Sequence, residues 1–191
     1  MWWRDFALRR RRLAVLARAG LVLAAASLTA GCFQPLYATR SSPGSESVRD
    51  RLASIQVAPP TAGNGSPEQR VAIGVHNAVI FDLTGGSGAV APTHRLVINV
   101  VTTQLTIAVD PTSGRPTANI DSVTANYQLV EVATGKTVVD DVAAARVDYD
   151  IPGPEQRFAA QRAQRGAEDR AVQVIAESIR NRLASYFVAG T

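Results

Sequence analysis

The chain has 191 residues, 46% of them hydrophobic and 19% charged, with one cysteine and a formal net charge of +4. This is the size of one ordinary domain. A lone cysteine excludes an internal disulfide and a multi-thiolate metal site, and no apolar run reaches the roughly 18 residues that a membrane-spanning helix needs. The positive charge does not point to nucleic acid. Residues 1–31 hold six arginines against one acid, Asp5, and the rest of the chain carries 14 basic and 15 acidic residues, a balance of −1. A body of that charge has no general attraction to phosphate backbones.

Arg9 to Arg12 form a positive n-region, and the uncharged run from Ala19 to Ala30 has the length of a signal-peptide h-region. The run ends in Leu28-Thr29-Ala30-Gly31-Cys32. Small residues before a single cysteine resemble the lipobox of bacterial lipoproteins, with Thr29 where that pattern prefers leucine. The resemblance implies removal of residues 1–31, a diacylglycerol on the Cys32 thiol and an N-acyl chain such as palmitate on the freed amino group. Each buried methylene contributes about 0.8 kcal/mol, so such a cysteine anchors firmly without a spanning helix. Phe33 stands where an aspartate would resemble an inner-membrane retention signal, which implies the periplasmic side of an outer membrane.

The domain limits follow: 1–31 signal peptide, 32–51 lipidated N-terminus and flexible tether, and 52–191 an α+β domain. The tether reading rests on residues 38–50, which are small and polar with Pro43 and Gly44 and cannot bury enough apolar area to order themselves. Residues 54–58 then alternate as a short strand, stopped by Pro59-Pro60. Ser66-Pro67-Glu68-Gln69 offers an N-cap, a proline at the first helical position and a capping-box glutamine. Val71, Val75, Ala78 and Val79 follow at helical spacing until Gly85-Gly86.

From Arg95 to Val109 the chain is rich in β-branched residues. Its apolar phase moves from Leu96, Ile98 and Val100 to Leu105, Ile107 and Val109, which predicts a β-bulge near Thr102 to Gln104. Val123, Ala125, Tyr127 and Leu129 alternate on a second long strand. A turn at Ala133-Thr134-Gly135-Lys136, with glycine where a positive φ is needed, leads into a third strand from Thr137 to Tyr149. Pro152 and Pro154 close it. Residues 156–188 form a long helix with Val172, Ile175, Ile179, Leu183 and Tyr186 on one stripe and the arginines largely off it. The expected fold is a two-layer α+β sandwich, two helices on one face of a four-stranded, mostly antiparallel sheet.

Catalytic chemistry has no constellation here. His76 and His94 lack metal-ligand companions at suitable spacing, and Gly85-Gly86-Ser87-Gly88 lacks the lysine of a phosphate-binding loop and follows a helix instead of opening one. Asp140-Asp141 face opposite ways on a strand, the Asp148/Asp150 pair is likewise acidic, and neither pair has a third ligand for calcium. Neither an enzyme nor a resident metal is expected.

At Cys32-Phe33-Gln34-Pro35-Leu36-Tyr37 the chain resembles the start of mature LPS-assembly lipoproteins, the LptE family, particularly its alphaproteobacterial branch. Members often carry a glycine between the cysteine and the phenylalanine, and here it is absent. The resemblance implies a non-enzymatic outer-membrane lipoprotein that plugs the LptD β-barrel and assists lipopolysaccharide assembly at the surface. The alternative is an auxiliary lipoprotein of a lipid-trafficking ABC transport system. Lipopolysaccharide offers phosphates and carboxylates, for which basic side chains on sheet ends are the natural partners. Arg95, Arg115 and Lys136 are the candidates, while Phe33, Pro35, Leu36 and Tyr37 are the candidate contacts to barrel or membrane.

Overall fold

The computed structural model describes residues 47–61, 65–86, 91–153 and 155–189. Cys32, Phe33, Pro35, Leu36 and Tyr37, with the signal peptide and residues 38–46 of the tether, lie outside the described residues.

The ordered chain opens earlier than composition suggests, with α1 (Val48–Ala53). Its first turn is closed reciprocally. The Asp50 N–H donates to Ser47 Oγ at 3.2 Å, and the Ser47 N–H donates back to Asp50 Oδ2 at 3.1 Å. Two orphan amides are thus satisfied within four residues, so a polar stretch that reads as linker up to Asp50 turns helical and buries Leu52. Strand β1 (Ile55–Val57) follows, then α2 (Pro67–Thr84). Ser66 Oγ accepts from the Gln69 N–H as the sequence predicts, but the Gln69 side chain serves the Gly65 N–H instead of that of Ser66. Gly85 ends α2 at φ 68°, a left-handed conformation that spares the last carbonyls and that a Cβ would strain.

Three long strands come next: β2 (His94–Val109), β3 (Pro116–Glu131) and β4 (Thr137–Asp150), followed by α3 (Arg157–Ala189). The sheet order is β1-β2-β3-β4, with β1 parallel to β2 and the other pairs antiparallel. This is the expected α+β sandwich, with the short α1 added.

Both long helices cover one face. Val71, Val75, Val79 and Leu83 of α2 and Val172, Ile175, Ile179 and Leu183 of α3 meet Leu96, Ile98, Val100, Val123, Ala125, Tyr127 and Leu129 in one core. Alanines 167, 171, 176 and 184 are fully buried on α3 and bring its backbone close to its neighbours. At Gly74 a Cβ would stand 3.2 Å from Val172 Cγ2, so glycine is what lets α2 cross α3 there. Arg70 adds an ion pair across the crossing, 2.5 Å from Glu168 Oε2, and Arg182 ties α3 to Asp141 on β4 at 3.0 Å. Such partly exposed pairs contribute at most about 1 kcal/mol each. The apolar row does most of the holding.

Ile175 is fully buried at the centre of that row. Ile175→Ala is expected to lower unfolding free energy by about 2–5 kcal/mol, read as a shift in the urea midpoint with unchanged slope.

Candidate functional site

A strand sends alternate side chains to opposite faces, and in this sheet only one face is covered. On β2, β3 and β4 the rows that point away from the helices pair across the sheet. Val97 faces Gln128 and Asp140, Asn99 faces Asn126 and Val142, Val101 faces Thr124 and Ala144, and Thr103 faces Ser122 and Arg146. Hydroxyls, amides and small apolar groups fill the middle of this face, and the charges Asp140, Arg146 and Asp148 keep to its β4 margin. Among the described residues nothing lies over it, and Val101 and Val142 are about half exposed.

The register of β2 on β3 runs without interruption from His94 to Thr106. The bulge expected at Thr102 to Gln104 is therefore absent there; the irregularities fall later, between Thr106 and Val109. The shift in apolar phase has another cause. Halfway along the sheet the helix-facing positions become polar, Thr102 and Gln104 on β2 and Asn119 and Asp121 on β3. Over the same stretch the opposite face turns apolar, with Leu105 66% exposed and paired to Ile120; Ile107 and Val109, within the irregular end of the strand, are also exposed. As far as Thr106 the sheet exchanges its greasy side for its polar side without changing parity. Among the described residues this half of β2 also has no strand on its outer edge, because β1 pairs only as far as Leu96, where Ala58 donates one further hydrogen bond.

On the helix side, the exchange leaves a polar cavity of about 220 Å³ lined by Glu68 of α2, Thr102 and Gln104 of β2, Asp121 of β3 and Glu168 of α3. Gln104 Nε2 donates to Asp121 Oδ1 at 3.2 Å and to the Tyr149 hydroxyl, which also accepts from Asn119 Nδ2 at 3.4 Å. Burial pushes the Asp121 carboxyl above its ordinary pKa, against the stabilising hydrogen bond from Gln104. No group of three or more metal-ligating side chains gathers among the described residues.

The three basic candidates are divided between the two ends of the sheet. Arg95 pairs with Val130 on the uncovered face, and Lys136 closes the β3–β4 turn by accepting the Glu131 N–H at its carbonyl, 2.9 Å away. Both lie at the end where α1 packs. Arg115 sits at the other end, in a turn where Asp110 Oδ1 accepts from the amides of Thr112 and Ser113, which hold that carboxyl below its usual pKa. The 16 residues of β2 separate the ends by roughly 50 Å, so Arg115 and Lys136 do not form one small patch. Sequence reading missed the cavity and the apolar far half, although polar residues at alternate positions on both β2 and β3 carry the signal.

At the near end His94 stands edge-on to Phe187, ring centroids 5.3 Å apart. Burial holds its imidazole below the ordinary pKa of 6.5, opposed in part by the charge of Glu131. The folded chain thus takes up this proton less readily than the unfolded chain, so stability falls as pH drops below about 6.5. Thermal melts from about pH 8 to about pH 5 are expected to show that fall. In His94→Phe the slope across the window is expected to flatten.

A family model described as LptE, lipopolysaccharide-assembly, matches residues 46–183. No curated protein matches. Among solved structures, a lipoprotein candidate from Caulobacter crescentus is 18% identical with a TM-score of 0.57, covering 74% of this chain and 96% of its own. Rare lipoprotein B from Shewanella oneidensis is 16% identical with a TM-score of 0.50, covering 70% of this chain and 96% of its own. At those identities the likeness is one of fold.

Proposed function

We propose, from the premise that this chain belongs to the LptE lipopolysaccharide-assembly family, that it works as an acylated outer-membrane lipoprotein seated against an LptD-like β-barrel. The family is one of non-enzymatic lipoproteins, and the chain's role in this reading is structural: it lodges in or beside the barrel and assists lipopolysaccharide on its way to the surface. Cys32 carries the lipid, and Phe33, Pro35, Leu36 and Tyr37 lie next to the anchor, where bulky apolar residues meet membrane or barrel wall.

The observation that supports this best is the uncovered sheet face with its exchange of polarity. A large barrel has a wet, polar lumen, and the hydroxyl and amide rows around Ser122, Thr124 and Asn126 suit such a wall. The exposed Leu105, Ile107 and Val109 suit an apolar partner at the far end. Arg95 and Lys136, sharing the other end, are placed to meet phosphates together, with Arg115 as a separate contact.

A photocrosslinking residue at Leu105 of the full chain in cells tests the partner. Adducts to an outer-membrane barrel are expected; adducts to an inner-membrane permease would favour the ABC-system alternative and overturn this reading. Cys32→Ser is expected to release the protein from membranes on fractionation. For the ligand, Arg95→Glu with Lys136→Glu is expected to weaken lipopolysaccharide binding by roughly two- to fivefold per charge, the range of an exposed ion pair. Unchanged affinity would remove both from the contact.

A further inference from the structure

At the cavity beneath the far half of the sheet, Thr102, Gln104 and Gln164 each donate to a carboxylate, and acceptor atoms are still left over. Asp121 is 6% exposed and Asn119 7%, and both project from β3 toward the helices. Among the described residues, Asp121 Oδ2 and Asn119 Oδ1 have no hydrogen-bond partner. Leaving a buried carboxylate oxygen unmatched is costly, and its retention calls for a donor from outside the fold. The residues lining the cavity include three carboxylates, Glu68, Asp121 and Glu168, and no lysine, arginine or histidine. Arg70 pairs with Glu168, which leaves Asp121 and Glu68, the latter accepting from Thr102 Oγ1 at 3.5 Å, as the negative walls.

The chemistry of the missing donor is narrow. An anion is repelled. A divalent ion needs several ligands drawn around one point, and no such group of side chains exists among the described residues. A primary ammonium donates three hydrogen bonds in diverging directions, which suits acceptors standing on separate elements: Asp121 on β3, Glu68 on α2 and the Thr102 and Gln104 side chains on β2. Val123 adds an apolar surface along which methylenes can lie. We propose that this cavity binds a primary ammonium group on an aliphatic stem, with Asp121 and Glu68 as its charged acceptors. The group is carried either by a free alkylamine or by the lysine of a partner protein, and the site is independent of the barrel reading.

The test uses the full-length chain in detergent, titrated calorimetrically with cadaverine and with Nα-acetyl-lysine amide. The doubly acetylated lysine amide, which has no ammonium, serves as control. Binding of the two amines but not of the control is expected. Tighter binding of cadaverine assigns the site to a free amine, and tighter binding of the lysine derivative to a protein side chain. Asp121→Asn is expected to weaken binding by roughly tenfold or more, the scale of one hydrogen bond to a charged group, and Glu68→Gln to weaken it less. Glu177→Gln, at an exposed position of α3 outside the cavity lining, is expected to leave it unchanged. The Asp121→Asn fold is checked by its melt. A carboxyl with a raised pKa destabilises the folded state when ionised, so the variant is expected to be the more stable at neutral pH and to lose that advantage as pH falls toward 3.8. Failure of both amines to bind, or binding unaffected in an Asp121→Asn chain that melts no lower than the parent, overturns the proposal.

Discussion

Three strands of 14 to 16 residues share one covered face, and the period of two along each strand decides the character of everything else. The cover is α2 and α3, crossing at Gly74 and Val172 closely enough that a Cβ on Gly74 would stand 3.2 Å from Val172 Cγ2. Burial along this seam supplies the main stabilising term, and the ion pairs of Arg70 and Arg182 add little beyond orientation. Because the helices occupy one side only, each residue of β2 to β4 either packs in the core or belongs to a surface available to partners. The same arithmetic makes the far half informative. There α2 is only beginning, at Glu68, the inward positions can be polar, and the outward ones are free to be apolar.

The long elements were legible in the sequence because their periodicity is undisturbed. Val172, Ile175, Ile179 and Leu183 repeat at helical spacing, Val123 to Leu129 at strand spacing, and the turn at Gly135 adopts the positive φ its glycine predicts. Two readings failed for physical reasons. Composition made a linker of the stretch up to Asp50, because a capping box uses polar residues to stabilise a helix and resembles disorder when only composition is counted. The shift of apolar phase in β2 read as a bulge because hydrophobicity was taken to mark the core. In fact the strand keeps its parity as far as Thr106 while its surroundings change, and its irregularities come only after that. Recognising that required the polar alternation of Asn119 and Asp121 on β3, a cross-strand fact that one strand alone does not contain.

Functional legibility divides along similar lines. Chain-local signals, the Cys32 neighbourhood above all, pointed to the lipopolysaccharide-assembly family, and the family match over residues 46–183 agrees. The basic residues could be named from the sequence but not grouped, since strand length and turn order place Arg115 far from Arg95 and Lys136. The cavity around Asp121 was hard to see, as its members come from α2, β2, β3 and α3, and its signal, the polar alternation on β2 and β3, shows only when the two strands are read together.

One consequence of this layout concerns time. The roof of the core is α3, the final 33-residue helix, while the strands it shelters precede it. A chain that emerges amino end first, from a ribosome or through a translocation pore, therefore displays a hydrophobic meander with only α2 over it before this second helix has been delivered. During that interval the polypeptide is at its most adhesive, and escorting it past that moment falls to whatever chaperones attend the exit.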